Sequence, residues 1–208
     1  MDLERWWPDS LSPETRLRDR LLAAYGAPTR GYHDLRHLAE VFARLDELMP
    51  RSHPDRDAVL LAAWFHDAVY EPGASGHADS NEERSAMLAE RELAAVGAPP
   101  ELVEEVARLV RLTAQHRPAP GDPNGCLLCD ADLAILASTP ARYAEYVAGV
   151  RAEYADVPDD AFRGGRLRVL QELLAKRTLF ESLEAQQRWE SAARSNLESE
   201  VTALSAAS

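Results

Sequence analysis

At 208 residues, with hydrophobic residues at 46% and charged residues at 28%, the chain is long enough for one well-buried core. Its composition excludes a disordered, collagenous or disulfide-stapled protein. The 23 Lys and Arg against 35 Asp and Glu leave a net charge of −12, which argues against a surface built to hold duplex nucleic acid through its phosphates. A small anionic ligand gathered by local cations is compatible with that balance.

The opening "MDLERWWPDS" has neither a basic n-region nor an apolar h-region. No run approaches the roughly 18 to 20 apolar residues that span a bilayer, so the expected setting is the cytoplasm, away from membranes. Apolar residues recur at helical spacing, first at Leu35, Leu38, Val41, Phe42, Leu45 and Leu48, later at Leu102, Val103, Val106, Leu109 and Val110. No segment alternates like a strand. Breakers at 26–31, 50–55, 71–80, 97–100 and 117–125 divide the chain into helix-length blocks. "SPET" offers Ser12 as an N-cap with Pro13 at the first helical position, and "STPARY" repeats the device at 138–143.

The prediction is an all-α, single-domain helical bundle over 1–208, with helices at about 12–25, 34–49, 55–70, 80–96, 100–116, 127–137, 140–155 and 160–180. A charged helix follows at about 184–204, polar enough to be a docking arm, a homodimer contact or a frayed tail. Cys126 and Cys129 form a lone CxxC, which reads as two small buried residues, because a zinc site needs two further ligands.

Six histidines occur in the chain, and two of them, His33 and His37, stand four apart in "RGYHDLRHLAEVF". On a helix that spacing lets both imidazoles converge on one point, although hydrogen bonding within the core would also account for them. "LLAAWFHDAVYEP" then places His66 and Asp67 at the end of a nearly all-apolar helix. A carboxylate there needs a cation, a metal ion, backbone N–H groups or an arginine beside it. "CDADLAILAS" sets Asp130 and Asp132 among aliphatic residues, where one of them can serve as an N-cap. Imidazole nitrogens and carboxylate oxygens together suit Mn, Fe, Co, Ni or Zn better than an all-oxygen calcium cage does.

This order, His37, then "HD" at 66–67, then a distant Asp in "ADL", resembles the H...HD...D signature of the HD superfamily of metal-dependent phosphohydrolases. The resemblance is closest to predicted phosphohydrolases of that superfamily with R-x-Y-H-x-x-x-H, "DNEERSA"-like and "DADLAILG"-like segments, here "RGYHDLRH", "DSNEERSA" and "DADLAILAS". It runs from about residue 5 to beyond "GRLRVLQELL" and implies an HD-type bundle around a divalent ion held by His37, His66, Asp67 and Asp132. The ion is one of Mn, Fe, Co, Ni, Zn or Mg, and a second one is compatible with the pattern, Asp67 then bridging the two.

"YHDLRH" is similar to the Y-H-N-x-x-H segment of cyclic nucleotide phosphodiesterases, with Asp34 in place of Asn. That likeness implies that His33 is the general acid, and the C-D-L-S segment of those enzymes favours Asp132 over Asp130 as the last ligand. Glu83 is a candidate to hold a catalytic water, although acids also favour a helix's first turn through its dipole. His116, where some HD proteins place histidines for a second ion, joins Arg30, Arg36 and Arg151 as the expected substrate-binding set, with Arg166, Arg117 and Lys176 as further cations. His53 and His77 are read as solvated, and Trp64 as core.

The implied activity is hydrolysis of a phosphate ester on a small phosphorylated substrate such as a nucleotide, the ion activating water and His33 protonating the leaving oxygen. The alternatives are a non-catalytic metal- or nucleotide-binding module and a di-iron oxygenase of the same fold.

Overall fold

The computed structural model describes residues 2–11, 13–72 and 80–206. Among them lie nine α-helices and no strand: α1 (Thr15–Tyr25), α2 (Leu35–Leu48), α3 (Arg56–Phe65), α4 (Asn81–Ala95), α5 (Pro100–Leu112), α6 (Pro123–Leu133), α7 (Pro140–Glu153), α8 (Asp159–Ala175) and α9 (Leu183–Ala206). Short 3-10 turns occupy Glu4–Trp6, Asp9–Leu11 and Ala134–Ala137. No helix of the described residues is long and apolar enough to cross a membrane.

Each of the nine expected helices has its counterpart, and the boundaries differ for local reasons. The first starts at Thr15 with Glu14 in the N-cap position, and the expected cap Ser12 lies outside the described residues. The third stops at Phe65 rather than near 70, because the following amides are bonded elsewhere: Asp67 N–H donates to Tyr25 Oη at 3.2 Å and Val69 N–H to Ser85 Oγ at 3.0 Å. The sixth begins earlier than 127, since Asp122 accepts from Gly125 N–H and Pro123 takes the first helical position. Thr139 and Pro140 start α7 as "STPARY" predicts.

Ala58 through Phe65, eight successive residues of α3, are all buried. A helix apolar on every face must be enclosed, and α3 runs through a core built with α1, α2, α4, α5, α6 and the N-terminal Leu3, Trp6, Trp7 and Leu11. Trp64 belongs to this core, its indole N–H donating to Trp6 O at 3.2 Å. Burial of side chains such as Leu61 and Phe65 contributes about 1.5–3 kcal/mol each. A second cluster joins α7, α8 and α9 to the Ala134–Ala137 turn and to Tyr32. The α9 helix is docked there: Glu200 accepts from Arg166 at 2.7 and 2.9 Å and from Tyr143 Oη at 2.6 Å, with the Arg and Glu side chains only 9% and 6% exposed.

Backbone meets backbone where α7 crosses the 30–33 loop. A Cβ built on Gly149 falls 2.6 Å from Gly31 O, and one on Gly31 meets Gly149 O more closely still. Two glycines are therefore required for this approach, which carries the C-terminal end of α7 under His33. Gly149→Ala is expected to lower stability by about 1–3 kcal/mol through overpacking against backbone. A urea or thermal melt with unchanged midpoint would contradict that expectation.

Candidate metal centre

Three helices deliver the central residues. Asp34 caps α2 by accepting from Arg36 N–H and His37 N–H, which places His37 in the first turn, 2% exposed. That cap accounts locally for the Asp at this position. His33 precedes the cap in a turn, so the expected sharing of a helical face by His33 and His37 does not occur; their rings approach through the loop, with centroids 5.7 Å apart. His66 is the C-cap of α3, followed directly by Asp67. Asp132 comes from the last turn of α6.

The ligating atoms converge. His37 Nε2 lies 3.1 Å from His66 Nε2, 3.3 Å from Asp132 Oδ1 and 3.4 Å from Asp67 Oδ2. His66 Nε2 lies 3.1 Å from Asp67 Oδ2 and 3.6 Å from Asp132 Oδ1. Atoms sharing one ion at about 2.1 Å are about 3.0–3.4 Å apart at right-angled to tetrahedral spacing. His37, His66 and Asp132 offer ligand atoms all within 4.8 Å of one another and fit a divalent ion, with Asp67 beside them.

The surroundings prepare these groups. His66 Nδ1 lies 2.8 Å from Ala63 O, which can only accept, so Nδ1 carries the proton and Nε2 of the neutral ring is left with its lone pair. His116 Nε2 donates to Asp132 Oδ2 at 2.8 Å, reaching back from a left-handed backbone conformation (φ 48°) just beyond α5. Arg30 ties the two site loops together: its guanidinium donates to His33 O at 2.7 Å, Asp67 O at 2.8 Å and Ala68 O at 3.1 Å.

Burial would raise the Asp67 and Asp132 carboxyls, yet the adjacent histidines outweigh it and hold both below the usual carboxylate range. The same contacts act in reverse on His37: burial lowers its pKa, but hydrogen bonds to Asp132 and Asp67 push it up to about 10. In the absence of an ion, a proton satisfies the carboxylates; a divalent cation does so with more charge.

Beside the cluster stands a residue that sequence reasoning missed. Glu153 has a fully buried side chain, and its Oε1 accepts from the N–H groups of Gly31, Tyr32 and His33 at 3.0, 2.8 and 2.9 Å. Its Oε2 accepts from His33 Nδ1 at 2.8 Å and from Tyr70 Oη at 3.0 Å. Tyr70 stacks on the His33 ring at 4.1 Å between centroids. Burial raises the Glu153 carboxyl, but the His33 contact and the backbone donors bring it down to about 2.

The other expected residues lie elsewhere. Glu83 is bound by Arg111 at 2.8 and 2.7 Å. Arg36 pairs with Glu40 and Glu145, and Arg151 binds Tyr154 O, Val157 O and Asp159. Arg166 is held by Glu200, Lys176 donates to His116 O, and Arg117 is exposed. Asp130 accepts from Glu181 N–H and Ser182 N–H at 2.6 and 2.8 Å, just ahead of α9. Cys126 is half-buried and Cys129 buried, both as free thiols on α6. His53 is half-buried in a turn, and His77 lies outside the described residues. Compared with family models, curated proteins and solved structures, the chain matches none.

Two outcomes are expected. Adding Mn, Co, Ni or Zn to metal-stripped protein raises the melting temperature, by mass action about 4 kcal/mol at a thousandfold excess over Kd, and His66→Ala or Asp132→Ala removes the rise in differential scanning calorimetry. Glu153→Gln, which keeps an acceptor for the three N–H groups but presents an amide to His33 and Tyr70, loses about 1–3 kcal/mol near neutral pH. Because the folded-state pKa lies below the ordinary 4.5, the wild-type advantage is present above about 4.5 and fades as pH falls toward about 2. A variant deficit independent of pH in urea melts would contradict this.

Proposed function

We propose that the chain is a metal-dependent phosphohydrolase of the HD superfamily, acting on a phosphate ester of a small metabolite such as a nucleotide. The observation that carries this reading is the meeting of His37, His66, Asp67 and Asp132 at 3.1–3.6 Å beside a histidine, His33, held by a buried carboxylate. A module that only bound metal would need no such histidine, which favours catalysis over simple binding.

On this reading His37, His66, Asp67 and Asp132 hold the ion. A divalent ion supplies Lewis acidity there, polarising a phosphoryl oxygen and making water a stronger nucleophile at neutral pH. The residues of the chain do the rest. His33 donates Nδ1–H to Glu153, so its other ring nitrogen, Nε2, is the one that can exchange a proton with the ester oxygen. As water oxygen bonds to phosphorus and the ester P–O bond breaks, the proton carried on His33 Nε2 goes to the departing alkoxide, and the proton lost by the attacking water passes to solvent, from which Nε2 is reprotonated. Tyr70, stacked on the ring and bonded to Glu153, limits the imidazole's rotation, while Arg30 keeps the His33 and Asp67 loops in register.

The test is a screen of aryl phosphates and nucleotides with protein loaded with Mn, Co or Ni. Turnover is expected to be lost in His66→Ala and reduced about 10²–10⁴-fold in His33→Ala, the range for a general acid. Equal activity of wild type and His66→Ala on every substrate would sink the reading, and purified protein with an iron absorption band that responds to O2 would redirect it to oxidation.

A further inference from the structure

Among the described residues, His116 is the one non-glycine residue with a left-handed backbone conformation, φ 48°. Its N–H donates to Leu112 O at 3.0 Å and closes the end of α5, a position where glycine adopts that conformation at least cost. A histidine held there needs a further reason. The ring supplies one, because Nε2 donates to Asp132 Oδ2 at 2.8 Å and leaves Oδ1 to face His37 and His66 at 3.3 and 3.6 Å.

The backbone of His116 is engaged as well. Lys176, at the C-cap of α8, donates from Nζ to His116 O at 3.0 Å. The lysine is itself fastened at its main chain, its N–H donating to Leu173 O at 3.1 Å and its carbonyl accepting from Arg194 of α9 at 2.8 Å. Only the side chain reaches across. Burial lowers the pKa of this ammonium, so its charged form is kept here at a cost that an exposed lysine avoids. Its hydrogen bond goes to a carbonyl, which orients the group without neutralising it. The same connection from α8 to α9 is tied to α6 as well, where Asp130 accepts from Glu181 N–H and Ser182 N–H. One connecting segment therefore bears on Asp132 in two ways, through Asp130 two residues before it and through Lys176 and His116 on its Oδ2.

We propose that Lys176 is a positioning residue of the metal centre: by holding the carbonyl of His116 it keeps the imidazole turned back on Asp132, and so keeps Asp132 Oδ1 directed at His37 and His66. This rests on the reading that the cluster holds a divalent ion. It adds a residue from the far end of α8 that neither the H...HD...D pattern nor the ligand distances identify, and it gives the left-handed histidine a function.

The test titrates Mn into metal-stripped protein by calorimetry. Lys176→Met keeps the aliphatic stem and removes the donor, and is expected to bind Mn about tenfold more weakly than wild type, with the melting temperature of the metal-free protein unchanged. Charge alone predicts the opposite sign, because taking a cation away from the centre strengthens its attraction for Mn. His116→Ala is expected to weaken Mn similarly, and adding Lys176→Met to it to cost nothing more, since the lysine acts through the histidine. Lys176→Met that binds Mn as tightly as wild type or more tightly, or losses that add in the double variant, would overturn the role of Lys176 and leave the metal centre standing. Wild type that binds no Mn would bring down both. A Lys176→Met protein that melts several degrees lower without metal or fails to fold would also overturn the proposal, since the contact would then serve the frame as a whole.

Discussion

Two imidazole nitrogens 3.1 Å apart, with two carboxylate oxygens crowded against them, form the contact on which the structure turns. The interior of a protein tolerates neither unpaired lone pairs nor unpaired charge, and this site gathers both where three helices meet. A positive charge resolves the conflict. A proton on His37 is one form of it, and a divalent ion, which His37, His66 and Asp132 could hold, would be another. Around that requirement the neighbouring contacts acquire a purpose: Ala63 O sets the tautomer of His66, His116 orients Asp132, and Arg30 locks the loops on which His33 and Asp67 stand.

Holding such a site takes a rigid frame. The enclosed α3 presents His66 at its end, Asp34 turns the start of α2 so that His37 points inward, and the Gly31–Gly149 approach brings Glu153 of α7 beneath His33. The second core cluster matters for the same reason. Tyr146 packs on Tyr32, which packs on both His33 and His37, and Tyr146 is itself held by Arg166, whose partner Glu200 sits on α9. A C-terminal helix that looks peripheral in sequence is thereby connected through buried side chains to the residues of the centre. The exposures in this chain, 9% for Arg166 and 6% for Glu200, keep the pair dry enough to make its loss expensive.

His66 and Asp67 were legible because they end an apolar helical run, where burial without a partner is costly, His37 through its spacing from His33, and Asp132 rather than Asp130 only through the resemblance to the C-D-L-S segment. Glu153 was not, although it lies two residues from Arg151 in the same short stretch. Residues two apart on a helix face different directions, and only the docking of α7 decides that Glu153 turns inward while Arg151, 33% exposed, binds the carbonyls behind it. Glu83 shows the converse: a first-turn acid that the sequence offers to the site is held instead by Arg111 from α5. Neither Asp130 nor Asp132 is the N-cap that one of the pair was expected to be, since Asp122 caps α6 and both lie in its later turns; Asp130 instead accepts from amides some fifty residues ahead in the chain.

The periodicity, the breakers and the Pro-bearing starts determined by themselves that this chain is all helix, and where most of its helices lie, because helix formation depends on neighbours within a few residues. The histidines and aspartates that meet at the centre stood out as polar groups in apolar stretches, and it was the resemblance to the H...HD...D signature that gathered them into one set. Only the tertiary structure decided which acid faces His33 and which arginines are committed to carbonyls and carboxylates. Those outcomes depend on contacts between residues far apart in the chain, and a one-dimensional pattern carries no information about the angle at which two helices pack.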